Sequence, residues 1–124
     1  MSTEAMDISQ FTLARYNDDG HLDRTFGING KVLTSFSSAT EERAGALALD
    51  GWWRIVAAGS VEVNWRSQFA LARYKDDGTL DHSFGNKGEV HTNFSADSTD
   101  QARAMIIDGF GRILVGGDSG PFRS

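Results

Sequence analysis

The chain has 124 residues, 40% of them hydrophobic and 23% charged, with no cysteine and a formal net charge of −5. These values fit one modest globular domain and exclude a disulfide framework, a thiolate nucleophile and a Cys-based zinc centre. A negative balance without clustered Lys and Arg also excludes a phosphate-binding surface for nucleic acid.

The first eight residues, "MSTEAMDI", read as an acidic, polar N-terminal tail without the basic and apolar regions of a signal peptide. The compartment is therefore unknown, and no stretch reads as membrane-spanning. From residue 9 the chain repeats itself at an offset of 58 residues. Residues 9–60 match residues 67–118 at 26 of 52 positions without a gap, which marks a duplication. This divides the chain into repeat 1 (9–66) and repeat 2 (67–124).

Four short apolar stretches in each repeat, bounded by turn residues, are predicted as strands. In chain order the first is strand C, "QFTLARY" at 10–16, followed by the turn "NDDG" and then strand D, "GKVLTSF" at 30–36. Strand A is "AGALAL" at 44–49, and Asp50-Gly51 turns it into strand B, "RIVAAG" at 54–59. Repeat 2 returns C as "QFALARY" at 68–74, D as "GEVHTNF" at 88–94, A as "ARAMII" at 102–107 and B as "RILVGG" at 112–117. The stretch "TEERAGALALD" at 40–50 is rich in helix formers, but its copy ends in adjacent isoleucines and an Asp-Gly turn. Both are therefore assigned to β. The small residues of strand B are expected to allow close approach of sheets or tight twisting.

Repeated four-stranded antiparallel meanders of this kind describe β-propeller blades, which bury their faces against neighbouring blades. "FTLARYNDDGHLDRTFG" at 11–27 returns as "FALARYKDDGTLDHSFG" at 69–85 with 12 of 17 positions identical, and "DG-x-x-R-I-x-x-x-G" follows in both repeats. These motifs resemble the delta-60 repeat family, and the resemblance extends over essentially the whole chain after residue 8. It implies a propeller-like fold built of tandem repeats. It implies no catalytic or binding residues, since the family's biochemical role is generally unassigned.

Residues 9–124 number twice 58, so the reading is an integral pair of repeats, circularly permuted: half-blade C-D, full blade A-B-C-D, half-blade A-B. Two blades cannot close a ring. The expected partner is therefore a second copy of the chain, whose A-B half completes a blade with the C-D half of the first. A trimer giving six blades is preferred over a dimer or tetramer; the rival reading is a fragment of a larger propeller.

Candidate chemistry is sparse. Asp18, Asp19 and Asp23, with their copies Asp76, Asp77 and Asp81, offer oxygen ligands for calcium at short spacing, but they lack the EF-hand pattern and suit Asx and Asp-Gly turns better. No metal or cofactor is expected. Arg15 and Arg73 are expected to pair with Asp23 and Asp81, and Phe26 and Phe84 to plug the core beside flexible glycines. His21, His82 and His91 lack ligand spacing, and no nucleophile motif occurs.

Trp52, Trp53 and Phe110 are expected at the same end as the DDG turns, where aromatic rings could stack on a carbohydrate or anchor a protein. Trp65 and Phe122 are expected at the opposite end with the acidic loop residues Glu41, Glu42, Asp97 and Asp100, and Trp65 is read as a packing residue. The leading expectation is a non-enzymatic, self-assembling propeller that acts as a binding or scaffolding module. One alternative is a propeller lectin using the tryptophans, which a glycan array comparing the wild type with Trp52→Ala would expose. A propeller glycoside hydrolase fits less well, because it needs carboxylates on the innermost strands. Strand A offers none before Asp50 and Asp108.

Overall fold

The computed structural model describes residues 10–36 and 41–121. The chain is all-β, with no helix among these residues. Eight strands follow in order: β1 (Phe11–Ala14), β2 (Lys31–Thr34), β3 (Glu41–Leu49), β4 (Ile55–Val63), β5 (Arg66–Tyr74), β6 (Glu89–Thr92), β7 (Ser98–Ile107) and β8 (Ile113–Pro121). They form three antiparallel sheets, β1-β2, β3-β4-β5-β6 and β7-β8. The stretch rich in helix formers is strand β3, because the tertiary setting and its alternating burial outweigh local propensity.

The strands differ in length from the sequence expectation. β1, β2 and β6 keep only four residues each. β4 and β5 instead extend toward each other until two residues, Asn64 and Trp65, join them. Both have positive φ (53° and 71°), the geometry of the tight hairpin turn whose twist matches the flanking strands.

The four-stranded sheet lies in the middle. Its register places Ile55, Ala57 and Val61 of β4 on the same face as Ala70, Ala72 and Tyr74 of β5. Against that face lie Phe11 and Leu13 of β1 with Phe26 and Phe36, forming the principal core. The Phe11 and Phe36 rings meet edge to face at 5.0 Å. Strand β7 packs across β3, β4 and β5 on the other side. The chain is thus a stack of three layers, two strands, four strands, two strands.

β3 and β7 each carry a bulge at the same repeat position, between Ala44 and Ala46 and between Ala102 and Ala104. Opposite each bulge sits a glycine, Gly59 or Gly117. A Cβ built on Gly59 would lie 1.8 Å from the Arg43 carbonyl oxygen, and one on Gly117 would lie 1.9 Å from that of Gln101. The close approach anticipated for strand B therefore occurs within a sheet, between paired backbones. The neighbouring Gly116 has open space around it.

Candidate functional site

The two DDG turns are built alike. Asn17 N–H donates to His21 O and Lys75 N–H to Thr79 O, both at 2.8 Å, while Gly20 (φ 94°) and Gly78 (φ 93°) supply the left-handed step. Asp19 Oδ1 accepts the His21 N–H, and Asp77 Oδ1 accepts both the N–H and the hydroxyl of Thr79. The later aspartates hold the next turn. Asp23 Oδ1 accepts the Thr25 N–H and hydroxyl, and Asp81 Oδ1 does the same for Ser83.

Their second oxygens accept Arg15 Nε and Arg73 Nε, each at 2.9 Å. Those guanidiniums in turn lie 4.6 and 4.5 Å from the ring centres of Phe26 and Phe84. The predicted Arg–Asp pairs are thus present, and Phe26 is buried in the core, while Phe84 is only half-buried.

The arrangement uses Asp19, Asp23, Asp77 and Asp81 as backbone and side-chain acceptors within the turns. Asp76 accepts Arg15 Nη1 at 3.1 Å from the other repeat, and Asp18 lies on the exposed tip of its turn. Among the described residues no three His, Asp or Glu side chains cluster so as to hold a metal ion. The Ser83 hydroxyl, followed by the Ser83 N–H and Arg73, outweighs desolvation and holds the Asp81 carboxyl down at about 2. The Thr25 hydroxyl and N–H act in the same direction on Asp23.

The turns between strands A and B present the aromatic residues. Asp50 Oδ1 accepts the N–H groups of Trp52 and Arg54, and its Oδ2 accepts Arg54 Nε at 2.6 Å. Asp108 repeats this with Phe110 and Arg112. These caps leave the rings outside: Trp52, Trp53 and Phe110 are 78%, 69% and 87% exposed. Trp53 has φ 66°, where repeat 2 has Gly111 at 82°. A bulky residue is thus held in a backbone region that glycine adopts freely. The β3–β4 turn and the β5–β6 loop lie at the same end of the central sheet.

Two expectations are corrected. Glu41, Glu42 and Asp100 are not loop residues: they lie in β3 and β7, and Glu42 and Asp100 are buried. The two buried carboxylates seize the chain where it leaves the preceding strand, Glu42 Oε2 accepting Phe36 N–H at 2.9 Å and Asp100 Oδ2 accepting Phe94 N–H at 3.0 Å. Strand A therefore does carry carboxylates ahead of Asp50 and Asp108, and those of Glu42 and Asp100 are engaged as structural acceptors. Trp65, read as packing between blades or subunits, occupies the tip of the β4–β5 turn with its ring exposed in the chain by itself. Its aromatic counterpart Phe122 lies outside the described residues.

The two buried acids differ. For Asp100 the Ser119 hydroxyl, at 2.6 Å, and the Phe94 N–H overcome burial and lower its pKa. For Glu42 burial dominates and raises its pKa, with Phe36 and Phe11 N–H groups opposing, and Oε1 has no hydrogen-bond partner among the described residues. The consequences for stability have opposite signs. Asp81, lower when folded, contributes stability that is present above its ordinary 3.8 and is lost as pH falls toward about 2. Glu42, higher when folded, favours folding fully below its ordinary 4.5, and that advantage disappears as pH rises through its raised value. Urea unfolding across pH is expected to show Asp81→Asn flattening the acid limb and Glu42→Gln flattening the limb above it. Unchanged slopes would contradict these assignments.

The ends of the stack are unfinished surfaces. β1 and β8 each have only one strand neighbour among the described residues. Arg15 N–H reaches Gly30 O on the β2 side; by the alternation of an antiparallel ladder, the Ala14 and Thr12 N–H groups point away from β2, along the free edge. Apolar side chains are left exposed at the same places: Leu33 beside β1, Leu47 and Leu49 on β3, and Ile106 and Leu114 on the outer face of β7-β8. A cavity of about 320 Å³ opens between β1 and β3, lined by Leu13, Phe26, Leu47, Leu49 and Ile55 among others.

No helix of the described residues is long and apolar enough to cross a membrane. No curated protein and no solved structure matches the chain. Residues 50–84 match a family model described as a domain of unknown function (DUF5122), beta-propeller. This match, with the all-β antiparallel architecture, supports a propeller-type repeat family.

Proposed function

We propose that the protein is a delta-60-type repeat protein that assembles head to tail into a closed β-propeller and works as a non-enzymatic binding or scaffolding ring. The observation that carries this reading is the pair of free edges. β8 is the repeat counterpart of β4, and β1 of β5, and β4 and β5 pair along their whole length in the central sheet. A free edge exposes unpaired N–H and C=O groups and recruits a strand. A contact between two different surfaces closes into a ring when its rotation permits.

The carboxylates of Asp19, Asp23, Asp77 and Asp81 in the turns and of the buried Glu42 and Asp100 accept backbone N–H groups, which favours a binding role over hydrolysis. Trp52, Trp53 and Phe110 then form an aromatic rim repeated around one end of the ring, suited to a carbohydrate or a protein partner. Light scattering is expected to give two or more times the 13.5 kDa chain mass as a whole-number multiple, with three chains making six blades. A monodisperse monomer would contradict the reading.

A further inference from the structure

We propose that the contact between copies has a fixed register and a specific set of partners, obtained by carrying each contact between the repeats one step onward. This rests on the head-to-tail reading and specifies its interface. Within the chain, β4 pairs with β5 so that Ile55, Ala57 and Gly59 stand opposite Tyr74, Ala72 and Ala70. The same pairing one step on sets Ile113, Val115 and Gly117 of β8 opposite Tyr16, Ala14 and Thr12 of a second copy. The Ala14 and Thr12 N–H groups are the ones that lie along the free edge.

The packing between layers extends in the same way. Arg15 Nη1 donates to the Asp76 carbonyl (2.8 Å) and carboxylate (3.1 Å), and Gly27 N–H donates to Asp77 O at 2.8 Å. One step on, Arg73 of one copy meets Asp18 of the next, and Gly85 N–H meets its Asp19 carbonyl. Tyr74 is fully buried with its hydroxyl 2.5 Å from Thr34 Oγ1; its counterpart Tyr16 is 62% exposed in the chain by itself and meets Thr92 of the neighbouring copy.

On the other face, β3 and β4 lie against β7. The onward step lays Ile106 and Leu114 over Leu47 and Leu49 of the next copy, at the cavity between its β1 and β3. The exposed apolar residues on one end of the stack are therefore complementary to those on the other. This explains why both ends keep side chains that water would disfavour.

The chain has no cysteine, so an introduced pair reports register without background. Under oxidation, Ala14→Cys with Val115→Cys is expected to give reducible covalent oligomers, since directly opposed Cα atoms lie about 5.5 Å apart. Thr12→Cys with Val115→Cys, two residues out of register, is expected to give none. Asp18→Lys is expected to weaken association about tenfold without changing the unfolding of the single chain.

If the wild type is oligomeric but the out-of-register pair links as well, or Asp18→Lys has no effect, the register is wrong while assembly stands. A monomeric wild type overturns both.

Discussion

Gly59→Ala is expected to lower stability by on the order of 3 kcal/mol or more, a large part of the roughly 5–15 kcal/mol available to a domain of this size. The added methyl would sit 1.8 Å from Arg43 O and 2.8 Å from Ala44 Cα. Both are backbone atoms held by the β3–β4 ladder, so nothing flexible can give way. Relief requires moving β3 off its bulge, which breaks the pairing that carries Glu42 into the core. Gly116→Ala, in the matching strand of the other repeat but with open space around it, is expected to stay within about 0.5 kcal/mol. Urea midpoints for the two variants make the comparison. Similar losses in both would mean that glycine acts through chain flexibility rather than through close approach.

Tyr74→Ala is expected to cost about 3–5 kcal/mol, the range for deleting a large buried ring. The ring is fully buried in the core that joins the β1-β2 hairpin to the central sheet. Its hydroxyl bonds Thr34, 40 residues away. Tyr74→Phe keeps the packing but strands the Thr34 hydroxyl, and about 1–2 kcal/mol is expected. Tyr16→Ala separates single chain from assembly. Its ring is exposed in one chain, so it should leave unfolding of a monomer within about 0.5 kcal/mol, yet weaken an assembly that buries it. Equal losses for Tyr16→Ala and Tyr74→Ala in dissociated chains would refute the three-layer placement.

The sequence carried the strand content because its turn chemistry is explicit: Asp-Gly pairs, the DDG turns and the Phe-Gly loops mark where strands stop. The Arg15–Asp23 and Arg73–Asp81 pairs were legible because an arginine within an apolar strand needs a nearby anion, and the repeat offers the same one twice. Glu42 and Asp100 were not read as buried, since acids next to polar residues look like loop. The available signal was that both repeats place an acid at the same position, three residues before the bulge glycine or its equivalent in β3 and β7. The tight approach at Gly59 and Gly117 was visible only as small residues, because a bulge in the partner strand has no local signature. The exposure of Trp65 follows from a two-residue turn that required β4 and β5 to be longer than their apolar cores.

The central claim is that two different edges of the chain meet. Proline removes an N–H from a free edge while leaving the opposite side of a strand paired. Thr12→Pro blocks β1 and Val115→Pro blocks β8, so each variant keeps one usable edge. Native mass spectrometry should find each variant alone as a monomer and their equimolar mixture as a one-to-one pair that grows no further. Either variant assembling by itself to the wild-type size, or a mixture that stays monomeric while the wild type is oligomeric, would contradict head-to-tail pairing of β8 with β1.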